Sequence, residues 1–349
     1  MIFFRKFLVS VLIIAITAGL GGCQFGRVEN SLVYDLDAVP VNLDPQSAAD
    51  SASLLVISCL FEGLVTADDD GSIHPAAASG WEVSADGLTY TFTLREGAKW
   101  ENGDPLTAED FVFGFQRLLD PDTAAPEAED YYGIENAEEI AAGLAEPETL
   151  GVEARSDYEL VIRLEEADSR FLELLDQAAA MPCHRKFFEE TRGKYGLNSD
   201  AIMGNGAFYL SSWPEDGNLS LRPSKTYHGA EEVTATSLLL VTPKEERASA
   251  VERFADGTVS AAAFTGQEYL KLAGGDYTVL ENGNAVWGLV FNLGREPFSS
   301  AEMRRALFLD ADFSTMEQAL PDYLEHLEAA VSPGIVLGGG ESYRKLAGS

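Results

Sequence analysis

The stretch "LFEGLVTADDDGSIHPAAASGWEVSADGLTYTFTLREGAKWENGDPLTAEDFVFGFQRLLDP", residues 60–121, sets turn, strand, turn and capped helix in one run. Leu88, Tyr90, Phe92 and Leu94 alternate with Thr89, Thr91, Thr93 and Arg95. Alternation of period two marks a strand with one buried face. Asp86-Gly87 is its entry turn, and Asn102-Gly103 turns the chain again afterwards. Thr107 then stands where a helix cap is expected, with Asp110 three residues on as a short form of the capping box. Phe111, Phe115, Leu118 and Leu119 give that helix an apolar face, and Asp120-Pro121 stops it. Upstream, Asp68, Asp69 and Asp70 could suggest a calcium loop. Such a loop needs more widely spaced oxygen ligands and a distant Glu, so Asp70-Gly71 is read as a hairpin turn.

Working outward, Leu32–Tyr34 reads as a strand, and Asn42-Leu43-Asp44-Pro45 has turn chemistry. Residues 51–61 read as a helix capped by Asp50 or Ser51. Beyond the central block, residues 134–143 read as an acidic helix ending in Gly143. A strand is expected at 158–164, with Tyr158, Leu160, Ile162 and Leu164 on one side, and a helix begins at Phe171. Residues 205–213 and 217–224 form an expected hairpin. Helices follow at 246–256 and 266–273, then a buried strand at 285–293 and a helix at 302–309. The fold class is α/β, mixed α+β with a mixed sheet, and no internal repeat is visible.

The 349 residues carry 57 acids against 24 Lys+Arg. Such a surface repels nucleic acid and anionic lipid, so neither is an expected partner. The four histidines are dispersed, and no CxxC, HExxH, GxSxG or Ser/His/Asp order stands out. No catalytic residue, metal ligand or cofactor motif is therefore read. Trp81, Trp100 and Trp213 are read as packing residues. Cys59 and Cys183 are either a disulfide, which export would allow, or buried thiols; the apolar helix around Cys59 favours the thiol.

The N-terminus explains why export is expected. Arg5 and Lys6 precede an uncharged apolar run from Leu8 to Leu20, too short to span a bilayer and suited to a signal peptide. Leu20-Gly21-Gly22-Cys23 resembles the lipobox of bacterial lipoproteins, which implies cleavage before Cys23 and acylation of its sulfur. Residues 1–22 are then the signal peptide and 23–31 a tether. Loss of Arg5 and Lys6 leaves 22 cations against 57 acids, a net charge of −35.

The order of motifs resembles the extracellular solute-binding proteins of bacterial ABC importers, family 5, which include oligopeptide, dipeptide and nickel binders. The matching pieces are "NLDP" at 42–45, the 60–121 block, "IENAEEIAAG" at 134–143, "LGVEARSDYELVIRLEEA" at 150–167, "NGAFYL" at 205–210 and "FNLGREPFSSAEMRRAL" at 291–307. The resemblance implies a periplasmic-binding-protein-like fold with two lobes around a ligand cleft. Residues 32–61 and 183–282 would form the first lobe, 62–182 an inserted subdomain, and 283–349 the start of an incomplete second lobe. It implies a peptide or other small solute as ligand, ABC permease subunits as partners, no cofactor and a monomer. The lipid anchor would hold it on the extracytoplasmic face of the membrane, periplasmic or at the cell surface. Ligand-facing positions carried over are Ala49, Asp50, Ser51, Glu127, Asn284 and Trp287. No Glu stands at 48–51, and Glu127 falls where peptide binders place a tyrosine; both depart from standard peptide recognition. The alternative is a truncated lipoprotein with lost or altered ligand binding, acting as a surface or sensory partner. A secreted hydrolase is the third reading, resting only on abundant carboxylates.

Overall fold

The computed structural model describes residues 30–68, 71–214, 217–243, 248–264, 272, 277–278 and 292–310. The chain divides into two compact units, residues 1–263 and 264–349.

In the first unit, β1 (Ser31–Asp35) opens a five-stranded sheet. Its other strands come from late in the unit: β8 (Phe208–Ser212), β9 (Leu219–Pro223), β10 (Ser237–Val241) and β11 (Ala261–Ala262), in the order β11-β1-β10-β9-β8. The ladder is parallel from β11 through β1 to β10, and antiparallel from β10 to β8. The expected hairpin at 205–224 is thus β8–β9. Strand β10 was not expected from the sequence: its run of leucines shows no alternation, although in the structure Leu238 and Leu240 are buried and Ser237 and Leu239 half-buried.

Helix α1 (Ser51–Leu60) follows β1 and is buried along nearly its whole length. Asp50, rather than Ser51, is its cap, accepting a hydrogen bond from the Ser53 amide at 2.8 Å. Cys59 on this helix and Cys183 are both buried free thiols.

Between β1 and β8 the chain builds the hairpin β2 (Val65–Ala67) and β3 (Ile73–Pro75). It then forms a separate antiparallel sheet from β4 (Ala78–Val83), β5 (Thr89–Leu94), β6 (Val152–Ser156) and β7 (Glu159–Arg163), ordered β4-β5-β7-β6. Tyr90, Phe92 and Leu94 on β5 are buried as the alternation demands, although Leu88 is only half-buried. Leu160, Ile162 and Leu164 are buried as expected on β7 and just beyond it, and Val161 on the other face is buried as well.

Helix α2 (Ala108–Leu119) packs on this sheet, and Phe111, Phe115 and Leu118 are among its buried residues. The Asp110 carboxylate accepts the Thr107 backbone N–H at 2.8 Å and its hydroxyl at 3.0 Å, fixing the helix start. The acidic helix is shorter than expected, α3 (Ala137–Ala141), and stops at Gly143 with φ 69°. The remaining helices are α4 (Phe171–Leu174), α5 (Arg185–Glu190) and α6 (Ala250–Ala255). The second unit contributes α7 (Ala301–Asp310). The expected elements at 266–273 and 285–293 lie mostly or wholly outside the described residues. No helix among the described residues is long and apolar enough to cross a membrane.

Candidate functional site

Strand β1 ends at Asp35, level with Val241 on β10 and Ala262 on β11. The carboxyl ends of the three parallel strands therefore open on one side, where α/β sheets bind ligands. The Leu36 amide makes one last bond to the Val241 carbonyl at 2.8 Å. The chain then bends at Asp37 and Ala38. Among the described residues, the backbone groups of Ala38 and Val39 have no hydrogen-bond partner. Pro40 has no N–H to give. Val39 is 48% exposed and Val41 73%. Here the surface offers free backbone and apolar side chains together.

Behind this open front, side chains hold the backbone. Ser53 Oγ accepts the amides of Val41 and Asn42 at 3.0 and 3.2 Å. Asn42 Oδ1 accepts the Asp44 amide at 3.0 Å, and its amide group donates to Ser47 at 2.8 Å. The Leu43 amide reaches the Gly196 carbonyl at 2.8 Å. Beneath the turn lies Arg117 of α2, buried, its two terminal nitrogens 3.0 and 2.6 Å from the Asp44 carboxylate oxygens. Arg117 also donates to Gln46 Oε1 at 2.5 Å, and its guanidinium lies 4.0 Å over the Phe188 ring. Gln46 in turn donates to the carbonyls of Ala179 and Met181 at 3.2 and 2.9 Å. Cys183 sits against this cluster, and burial pushes its thiol up to about 12. It is held as an inert thiol.

Three carboxylates border the open segment. Asp35 is buried in an ion pair with Arg253 of α6. Asp50 is engaged as the α1 cap. Asp37 is exposed and accepts only a long bond, 3.4 Å, from the Ser51 hydroxyl. Burial first, and the Asp37 charge next, push the neighbouring Tyr34 hydroxyl up.

Of the residues expected at the site, Ala49 and Ser51 are exposed and Asp50 half-buried at the start of α1. The Ser51–Asp37 bond brings this group to the open segment. Glu127 is elsewhere, entering the short 3-10 turn Ala128–Tyr131. Its carboxyl is raised, by burial first and Asp130 second. No hydrogen bond or ion pair joins it to residues 37–51 among the described residues. Asn284, Trp287 and Cys23 lie outside the described residues. Sequence reasoning missed Asp37, Val39, Val41, Gln46 and Arg117. A single residue at 117 pairing across 73 positions to Asp44 leaves no local pattern.

The front is thus an open segment of backbone on a fixed support. The pattern of the bacterial extracellular solute-binding proteins, family 5 (middle), matches residues 72–345. The chain belongs to that family, a binding class rather than a catalytic one. It is 29% identical to the dipeptide-binding protein DppE of Bacillus subtilis over 92% of this chain and 59% of that one. It is 32% identical to the periplasmic oligopeptide-binding protein OppA of Haemophilus influenzae, over 80% of this chain and 53% of that one. Among solved structures, the substrate-binding domain of an oligopeptide ABC transporter from Bacillus anthracis superposes with a TM-score of 0.79 at 30% identity. That match covers 92% of this chain and 63% of the other. The fold is thus the mixed α/β, periplasmic-binding-protein-like class of these two-lobed structures. The chain spans a little over half the length of the curated relatives it matches.

Proposed function

We propose that this chain is the extracytoplasmic solute-binding component of an ABC importer and that it takes peptides in extended form. The unpaired backbone of Ala38 and Val39, next to exposed Val39 and Val41, carries this reading. An extended peptide can add to such an edge through main-chain hydrogen bonds, largely independent of its side chains. Two relatives named for dipeptide and oligopeptide binding support it.

In this proposal residues 32–61 and 183–282 form the first lobe, 62–182 the inserted subdomain and 283–349 the start of an incomplete second lobe. Ala49, Asp50 and Ser51 border the ligand on the first lobe. Glu127, Asn284 and Trp287 remain further proposed ligand-facing residues, by family resemblance alone, and permease subunits receive the loaded, monomeric protein. Acylated Cys23 anchors it to the membrane; stable anchoring calls for at least two chains. Cys23→Ala should then leave the protein unacylated and out of the membrane fraction.

The functional test is calorimetry of the full chain against a mixed library of short peptides, with an N-methylated library as control. Heat with the first and none with the second is expected. Equal heats, or none with either, would reject extended-peptide binding.

A further inference from the structure

We propose that Arg117 and Gln46 are positioning residues for the ligand-facing segment, so that the four-stranded sheet sets the geometry of a wall belonging to the five-stranded one. The proposal rests on the peptide-binding reading just given. Segment 36–47 leaves β1 of the five-stranded sheet, whereas Arg117 sits on α2, packed on the four-stranded sheet. The guanidinium is the principal polar link between them at this point. It takes both carboxylate oxygens of Asp44 and the side-chain oxygen of Gln46. A planar, forked donor fixes the orientation of its acceptors as well as their distance.

Three observations separate this from a generic buried ion pair. First, the bonds fall on the residues whose backbone forms the turn: Asp44 Oδ1 also accepts the Gln46 amide at 3.2 Å. Moving the carboxylate therefore moves the main chain. Second, the cation is held from its other side by aromatic faces, Phe188 at 4.0 Å and Tyr195 at 5.3 Å, so it cannot follow a displaced Asp44 freely. Third, Gln46 extends the link to the carbonyls of Ala179 and Met181, a second anchor on another stretch of chain. The held turn begins two residues after Val39, and rigid presentation of an edge lowers the ordering cost of binding.

The test compares the full chain with Arg117→Lys and with Gln46→Leu, by residue-resolved amide exchange and by calorimetry with the mixed peptide library. Lysine keeps the charge but loses the fork; the Gln46 change leaves the Arg117–Asp44 pair in place. The expected result is exchange faster by roughly tenfold or more at residues 41–47, no change at Phe92 and Leu160, and peptide affinity weakened by a similar factor. If Arg117→Lys does not fold, Gln46→Leu decides alone. A folded variant with unchanged exchange at 41–47 overturns the proposal, as does loosened exchange with unchanged affinity. Uniform acceleration that includes Phe92 and Leu160 also overturns it, because it marks a merely structural role. If the unaltered chain binds no peptide, the peptide reading fails. The exchange pattern then still decides whether Arg117 and Gln46 hold the turn.

Discussion

Strand β5 and the segment Val41–Ser47 are both well supported, but by different means. In β5 the backbone pairs with backbone on both sides, β4 and β7, and the buried side chains Tyr90, Phe92 and Leu94 fill the core. Val41–Ser47 pairs with no strand among the described residues; Ser53, Asn42 and Asp44 side chains and the Gly196 carbonyl take its amides, and Arg117 fixes Asp44 from beneath. A ladder uses up the hydrogen-bonding groups of its strand on both edges. In Val41–Ser47 every amide is taken except at Pro45, which has none; the unpaired backbone lies just before it, at Ala38 and Val39, and that is the stretch proposed to take a ligand. The region proposed to bind is thus a short unpaired stretch set between a strand and a turn held by side chains.

The largest expected effect separates the two regions directly. Phe92→Ala, at a fully buried position, should destabilise the protein by about 3–5 kcal/mol in denaturant melts. Peptide affinity of the folded protein should not change.

Gly196→Ala should do the reverse. Gly196 has φ 76°, and an added Cβ would press on the Asp44 amide and lie 2.6 Å from Asn42 Oδ1. Strain and crowding together should cost about 2 kcal/mol, less than the Phe92 truncation. The displaced turn should weaken peptide binding more than Phe92→Ala does. Equal binding losses for the two variants would break the distinction between scaffold and site.

Asp50→Ala removes the α1 cap and should cost about 1 kcal/mol in the same melts. Since Asp50 borders the open segment, its binding effect shows whether the cap also orients Ser51 and Asp37.

The smallest effect concerns pH. Burial pushes the Glu101 carboxyl from the ordinary 4.5 up to about 6. The folded state holds this proton more tightly than the unfolded state. The resulting contribution to stability is fully present below pH 4.5 and is lost as pH rises through about 6. Glu101→Gln should therefore flatten the stability profile between these values relative to the unaltered chain. Melts at a series of pH values read the difference, and a parallel pair of curves would show that Glu101 is not the group responsible.

Much of the scaffold was legible because its signals are local. The β5 alternation, the Thr107–Asp110 helix start and the Asp50 cap each lie within a few residues of what they control. Strand β10 was not legible, since Leu238, Leu239 and Leu240 in a row carry no period. Of the proposed site, the sequence offered only neighbouring residues, whose ligand role remains a proposal. Ala49, Asp50 and Ser51 came from family resemblance, and Ser51 does meet Asp37. The support of the open segment escaped notice because its contacts span 73 positions from Arg117 to Asp44 and 133 from Gln46 to Ala179. Such pairings are set by tertiary packing of two sheets, and nothing in the spacing of either stretch announces them.

The account turns on whether the free backbone at Ala38 and Val39 receives a peptide. The most direct measurement is amide exchange at these two residues in the full chain, with and without a saturating short peptide. An N-methylated peptide of the same sequence serves as the comparison. The account predicts slowed exchange at one or both amides with the unmodified peptide and none with the methylated form. Unchanged exchange at both amides while the peptide is bound would contradict it.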